Sequence, residues 1–405
     1  MNENIVVMKF GGTSVGNAER MRKVAAYVVS EQQKGICPVI VVSAMGKATD
    51  QDIVLFNSIC PGGPQRELDA LLSTGEMRSA ALLAGAIETL NGKALSFTAA
   101  QMKLIAAGAH GRGRIVGLEN TETLRDLVAK GIIPVCAGFQ GVQNGDFVTL
   151  GRGGSDTTAV AVAHELHADA CNIYTDVAGV YTTDPRVVPS ARRFAFVDYT
   201  TMLSLSSAGA GVLMDRAVLL AQRFGVRLRV LLSPSIGDPD EGTIVYFRDE
   251  RLQAMEAEGD DLTGLAIRQD VVAVTFPGLP NRPGQAHEIF EALKEVVVGD
   301  AVQGSGTEDV ASISCWVAEE DSSRVKGAVP KCEIQDAACL TLVSPALKEG
   351  SGYLARMTGA LGKVGVNIEM ISSAGTSVLV IIRRADIAQA AQAVAQEFDL
   401  CEKGG

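Results

Sequence analysis

The chain has 405 residues, 47% of them apolar and 5% aromatic, enough to bury two or three cores at roughly 100 to 200 residues per domain. A net charge of −11 without a long basic block argues against a general electrostatic grip on nucleic acid or an anionic membrane, and leaves small-molecule chemistry as the expected class. The eight cysteines are scattered without a CxxC pair, as in proteins with reduced thiols, and the first ten residues lack the basic flank and apolar stretch of a signal peptide, so a cytoplasmic enzyme is expected.

From Ile5 to about Ile244, short β-branched runs alternate with Ala- and Leu-rich stretches, the pattern of an α/β sheet with helices on its faces. Strands are predicted at Ile5–Lys9, Val39–Ser43, Ile132–Cys136, Asn172–Thr175 and Arg227–Leu231, and helices at Ala18–Ser30, Glu67–Leu90, Thr121–Lys130 and Thr157–His167. Most of these strands are apolar throughout, which favours burial on both faces and a mainly parallel sheet. The charge-rich stretch Arg248–Gly264 predicts a boundary, with residues 1–249 forming one domain and 250–405 another.

Beyond that boundary the chain repeats itself. Arg282–Val298 and Gly350–Val366 share Gly284/Gly352, Ala292/Ala360, Leu293/Leu361, Val296/Val364 and Val298/Val366 at a spacing of 68. Each copy follows a strand-like run, Val271–Phe276 or Cys339–Val343. The second continues through Val366–Ser372 and Thr376–Ile382 into a helix at Asp386–Phe398, a strand-helix-strand-strand-helix order of ferredoxin-like type. Two tandem α+β units are expected, at about 264–331 and 332–405.

Three glycine- or polar-rich clusters carry candidate chemistry. In Val6–Gly16, Lys9 precedes Gly11-Gly12 rather than following the glycines, so this is not a Walker loop; a strand end still delivers a fixed cation beside backbone amides free to approach a phosphate. In Thr149–Ala168, Gly151, Gly153 and Gly154 precede Ser155 and Asp156 where a helix is predicted, with Ser155 as its N-cap. Arg152, set among the glycines, suits a carboxylate or phosphate. In Tyr174–Arg186, Thr175, Asp176, Tyr181, Thr183, Asp184 and Arg186 leave a strand within twelve residues, enough polar groups for a nucleotide. Ser43, Thr49 and Glu76 lie near further strand or helix ends.

Taken in order, Lys9–Ser14, Ser43–Gly46 with Thr49, Ser73–Glu76, Ala137–Gly141, Gly151–Asp156 and Tyr174–Arg186 resemble the aspartate kinases of the amino-acid kinase family, and the tandem repeat resembles that family's paired ACT regulatory domains. The resemblance implies a three-layer sandwich with a mainly parallel central sheet, followed by two ferredoxin-like ACT units. It also implies ATP- and Mg²⁺-dependent phosphorylation of the L-aspartate side chain to 4-phospho-L-aspartate, on the route to lysine, threonine and methionine. By the same resemblance Arg152 pairs with the substrate's α-carboxylate and Glu76 with its amino group, and Ser43, Thr49, Ser155 and Asp156 complete that pocket. Lys9 and the segment Gly11, Gly12, Thr13 and Ser14 meet the transferring phosphoryl, Lys9 and Asp156 being the catalytic pair. Gly153, Gly154, Thr175, Asp176, Tyr181, Asp184 and Arg186 line the nucleotide site. A homodimer or higher homo-oligomer through the ACT region is expected, since small ferredoxin-like units expose sheet edges and faces that pairing covers.

Two departures from the family pattern bear on function. Gly211 stands in Gly209–Leu213 where the family carries a lysine toward ATP, with Arg186 or Arg216 as candidate substitutes; Thr200 and Thr201 stand upstream where glutamates are usual. In the repeats, Asn281 before Arg282-Pro283-Gly284 replaces the aspartate that holds an effector's amino group, and Asn367 opens a segment continuing Ser373-Ala374-Gly375 in place of the usual residues. Altered feedback by an amino-acid effector at Asn281, Gly284 and Asn367 is therefore expected. Gly211 favours a second reading, a non-catalytic aspartate-binding regulatory subunit, whereas Lys9, Glu76, Arg152 and Asp156 favour the active kinase.

Overall fold

A computed structural model describes residues 4–247, 262–307, 309–348 and 351–402. Most of the charged stretch expected to divide the chain, Arg248 through residue 261, lies outside the described residues. The chain forms two compact units: among the described residues the first takes 4–180, 193–203 and 211–247, and the second takes 181–192, 204–210 and those from 262 onward.

In the first unit eight strands form one sheet in the spatial order Phe196–Asp198, Thr243–Tyr246, Leu228–Leu232, Ala170–Thr175, Ile5–Phe10, Cys37–Val42, Ile133–Ala137 and Ala94–Phe97. Only the pair Leu228–Leu232 with Thr243–Tyr246 is antiparallel; the other six are parallel. The apolar runs are explained by double-sided burial. Val6, Met8 and Phe10 pack with Met21, Val24 and Val28 of helix Ala18–Gln33 and with Leu83 and Ile87 of helix Gln65–Glu88. Alternation along the strand sends Val7 and Lys9 to the opposite face, where helix Gly154–Glu165 lies.

A smaller sheet, absent from the sequence expectations, orders Arg114–Leu118, Leu104–Ala107, Gln140–Gln143 and Asp146–Thr149. Its last two strands form a hairpin with Gln143 opposite Asp146. Asn144 and Gly145 turn it with φ of 52° and 88°, the two positive values a type I′ turn needs.

The second unit contains a six-stranded antiparallel sheet in the order Val298–Thr307, Val310–Ala318, Gly264–Pro280, Glu333–Val343, Ser377–Arg383 and Met370–Ala374. Helices Gln285–Ala292 and Ser322–Ala328 complete the first strand-helix-strand-strand-helix repeat, and Tyr353–Lys363 and Ile387–Glu397 the second. The repeat at spacing 68 extends to the backbone: Gly284 (φ 90°, ψ −14°) and Gly352 (φ 93°, ψ −7°) are each the left-handed residue preceding the first helix of their copy. Leu293 and Leu361 are both buried.

The strand expected at Val366–Ser372 begins only at Met370 and runs to Ala374. Val366 is still tied to the preceding helix by its N–H to Leu361 O at 3.0 Å, after a left-handed Gly365 (φ 72°), and the bond to the neighbouring strand comes three residues later, from Glu369 N–H to Ile381 O at 2.8 Å. Trp316, in strand Val310–Ala318, lies under the Arg268 guanidinium (4.9 Å to its centroid) and donates from its indole N–H to Asp300 at 3.2 Å. No helix among the described residues is long and apolar enough to cross a membrane.

Candidate active site

Lys9 sits one residue before the end of strand Ile5–Phe10. Its Nζ is 2.5 Å from Asp156 Oδ1 in the first turn of helix Gly154–Glu165, and both side chains are about nine-tenths buried. The chain then turns through Gly11 and Gly12. Gly11 N–H donates to Tyr174 O at 3.3 Å, and Gly46 N–H donates to Gly12 O at 3.0 Å. A Cβ at Gly12 would lie 2.8 Å from Ala44 O, so only glycine lets the loops Phe10–Ser14 and Ser43–Gly46 approach this closely. Thr13 is exposed, but Ser14 is fully buried with its hydroxyl donating to Tyr174 O at 3.4 Å; that side chain shapes the turn.

Helix Gln65–Glu88 brings Glu76 to the same pair of loops. Glu76 Oε1 accepts from Ala44 N–H at 3.0 Å, while Oε2 is buried and has no hydrogen-bond partner among the described residues. Burial pushes this carboxyl from its ordinary 4.5 up to about 8, although the Ala44 amide favours the charged form. Ser43, whose N–H donates to Phe10 O at 3.1 Å, and Thr49, in the first turn of helix Ala48–Ile59, are partly exposed at the same loop.

The glycine-rich loop differs from expectation in its cap. The N-cap of helix Gly154–Glu165 is Gly153, left-handed at φ 68°, and Ser155 lies buried inside the first turn. The reason is steric: a Cβ at Gly153 would lie 2.1 Å from Met214 Cγ, so the position that sets the helix entry accepts no side chain. Gly153→Ala is therefore expected to destabilise the protein by about 2–4 kcal/mol, from left-handed strain plus overpacking, read as a lowered thermal midpoint. Arg152, one residue earlier, is exposed and has no ion-pair partner among the described residues.

Neither arginine considered as a stand-in for the absent lysine is a free cation. Arg216 donates to Leu150 O at 2.7 Å and Gly113 O at 2.6 Å, bracing the base of the glycine loop, and burial lowers its pKa. Arg186 embraces Asp184 with Nε and Nη2 at 3.0 and 2.8 Å; burial pulls Asp184 up, but these hydrogen bonds and charge outweigh it and hold its pKa low. Gly211 is exposed with φ 69°, a backbone conformation that a lysine adopts only with strain. Thr201 is committed within its own helix, Tyr199–Ala208: Asp198 caps that helix by accepting from the Thr201 N–H and hydroxyl at 2.9 and 2.8 Å.

Of the expected nucleotide residues, Thr175 ends strand Ala170–Thr175 and donates from its hydroxyl to the exposed Asp176 at 3.1 Å. Tyr181, Asp184 and Arg186 belong to the segment 181–192, which clusters with the second unit through contacts such as Thr182 Oγ1 to Leu400 O at 2.6 Å. In that unit an open groove of about 400 Å³ runs along Leu279–Ala286, Gln303 and Ile313. It includes two of the three effector candidates, Asn281 and Gly284; the third, Asn367, is hydrogen-bonded to Glu369 at 3.2 Å.

One residue went unnoticed in the sequence. Asp69, seven positions before Glu76 on the same helix face, is fully buried and accepts from Gly111 N–H, Thr149 N–H and Thr149 Oγ1 at 2.8–2.9 Å. Two acids at i and i+7 among buried Leu72, Ser73 and Ala80 were the available signal.

A mainly parallel sheet flanked by helices, with a lysine at the C-terminal end of an interior strand meeting a glycine-capped helix, is the frame of an α/β kinase of small molecules. The chain belongs to the amino acid kinase family, whose profile it matches over residues 4–231, and it carries an ACT domain match at 340–398. Within that family it is an aspartokinase. It is 39% identical to the aspartokinase of Corynebacterium glutamicum, over 98% of this chain and 96% of that protein, and 38% identical to that of Pseudomonas aeruginosa, over 98% of each. Among solved structures, aspartate kinase from Synechocystis is 33% identical with a TM-score of 0.54, covering 99% of this chain and 70% of that one. E. coli aspartokinase III, solved with aspartate and ADP, is 24% identical and shares the fold at a TM-score of 0.75 over 98% and 100%.

Proposed function

We propose that this aspartate kinase transfers the γ-phosphoryl of ATP to the side-chain carboxylate of free L-aspartate, giving 4-phospho-L-aspartate and ADP. The observation that carries the reading is the buried, unpartnered Oε2 of Glu76, joined through Ala44 to the loop that begins at Lys9. A buried carboxylate oxygen without a donor calls for a cation, and the ammonium of an α-amino acid supplies both charge and N–H. Arg152, unengaged and exposed, is the matching fork for the α-carboxylate.

In this reading the aspartate carboxylate oxygen attacks the γ-phosphorus as the bond to the ADP oxygen breaks, and no covalent enzyme intermediate is needed. Lys9, aligned by Asp156, and the Gly11–Gly12 backbone offset the charge spreading over the transferring group, while Ser43, Thr49 and Ser155 line the amino-acid side. Thr13, Ser14, Gly153 and Gly154 shape the phosphate path, and Thr175, Asp176, Tyr181, Asp184 and Arg186 the nucleotide side. Magnesium, when bound, neutralises phosphate charge. With Asp156 committed to Lys9 and Glu76 to an ammonium, the donor set fits an ion carried on ATP oxygens and water rather than in a protein cage.

We also assign residues 1–249 to catalysis and 250–405 to regulation through tandem ACT units at about 264–331 and 332–405, in a cytoplasmic homo-oligomer. The groove along Asn281–Gln285 is the effector region; with Asn281 as an amide there, strong feedback by lysine or threonine is not expected.

The test is hydroxylamine trapping of the acyl phosphate by the purified chain. Aspartyl hydroxamate that requires ATP, magnesium and free aspartate, with no product from N-acetylaspartate, is expected. Absence of product, or equal use of the N-acetyl compound, would overturn the reading.

A further inference from the structure

Asp69 has no part in the chemistry above, yet both of its carboxylate oxygens are filled by donors. Its Oδ1 accepts from Thr149 Oγ1 at 2.9 Å and Gln65 Nε2 at 3.2 Å. Its Oδ2 accepts from the amides of Gly111 and Thr149 at 2.8 and 2.9 Å and faces His110 Nδ1 at 3.1 Å. Burying a carboxylate is costly unless its lone pairs are filled, and here four residues fill them.

The donors share a location. Thr149 ends strand Asp146–Thr149, three residues before Arg152. Gly111 belongs to a loop that returns to the same place: Gly113 N–H donates to Thr149 O at 2.9 Å, and a Cβ at Gly151 would lie 3.1 Å from Gly111 O. Arg216 closes the brace by binding Leu150 O and Gly113 O. Residues 110–113 and 149–151 thus form one braced base for the loop that presents Arg152, with Asp69 at its centre.

Asp69 is itself fixed on helix Gln65–Glu88, two turns and about 10 Å along the axis from Glu76. We infer that Asp69 is a positioning residue that holds the Arg152 loop at a set distance from Glu76, and thereby tunes the site to a substrate bearing an ammonium and a carboxylate on one carbon. The inference rests on the roles proposed above for Glu76 and Arg152. It adds that their spacing is enforced from the helix, through a group that touches no substrate.

Steady-state kinetics on Asp69→Asn, Arg152→Ala and the double variant test it, because a merely structural role would not separate the two substrates. Asp69→Asn turns one acceptor oxygen into a donor, set either against the Gly111 and Thr149 amides or against the Thr149 hydroxyl and Gln65 Nε2 that now donate to it. It is expected to raise KM for aspartate about tenfold or more while KM for ATP stays within about threefold, since small misplacements of a binding group are costly. In the Arg152→Ala background the same change is expected to add less than about threefold, the non-additivity of residues that act together.

Should Asp69→Asn fail to fold, Thr149→Val removes one donor, keeps the backbone bonds, and is expected to raise KM for aspartate by roughly threefold. An unchanged KM for aspartate in a folded Asp69→Asn enzyme, or in Thr149→Val where Asp69→Asn does not fold, overturns the inference, as does full additivity with Arg152→Ala. An unchanged KM in Arg152→Ala instead overturns the assignment of Arg152, and this inference with it.

Discussion

Replacing Lys9 with alanine is expected to lower kcat by about 10²- to 10³-fold, the scale of losing one preorganised donor at a developing charge. Two features of the site make the loss hard to compensate. The two arginines weighed as substitutes are spent, Arg216 on two carbonyls and Arg186 on Asp184, Gly211 brings none, and Arg152 is the group proposed for the substrate's α-carboxylate. Lys9 is also held in place rather than mobile, by strand pairing on both sides and by Asp156 at 2.5 Å. Removing it leaves Asp156 buried without its partner, which costs about 3–5 kcal/mol in comparable pairs. The two effects separate in Lys9→Ala/Asp156→Ala: thermal stability should largely recover and turnover should not. Lys9→Arg should keep the stability but restore turnover only in part, because a planar fork does not replace a compact ammonium. Full activity in folded Lys9→Ala would remove Lys9 from the mechanism.

The fold was legible wherever one physical signal dominated. Val39–Val42 and Ile133–Ala137 are apolar at every position because both faces are covered, and the predicted strands fell within a few residues of those observed. Short strands were not legible in this way: Ala94–Phe97 and Leu104–Ala107 have four residues each, and their stability comes from neighbours far along the chain. The hairpin at Asn144-Gly145, by contrast, is signalled by its dipeptide alone. At the site, the residue types were legible but their supports were not. Ser155 has the chemistry of a cap, yet Met214, sixty residues on, reserves that role for Gly153. Asp69 resembles any acid on a long helix until Gly111 and Thr149 arrive from separate loops to fill it. Likewise nothing in Tyr181–Arg192 announces that it clusters with the second unit, because the partners at Leu400 and Cys401 come at the chain's far end.

The pH dependence of aspartate binding follows from Glu76. An unfolded glutamate loses its proton near 4.5, whereas the folded one keeps it to about 8 because burial penalises the charged form. Between these values the native state holds a proton that the unfolded state has released, so the free protein loses stability as pH rises, at up to about 1.4 kcal/mol per unit, and the decline stops above about 8. Binding reverses the preference: an ammonium beside Oε2 favours the carboxylate, so below pH 8 the incoming aspartate must displace a proton. KM for aspartate is therefore expected to fall by up to about tenfold per unit from pH 6 to 8 and then to level, while KM for ATP changes little. Glu76→Gln should show a KM raised by about 10² and flat with pH. The same variant should lose the decline in thermal stability between pH 5 and 8, because an amide has no proton to keep. A flat aspartate profile in the wild type, alongside a normal stability decline, would mean that Glu76 titrates as its burial dictates but meets no ammonium. Its carboxyl would then keep its proton in the complex as in the free protein, and the substrate's amino group would be held elsewhere.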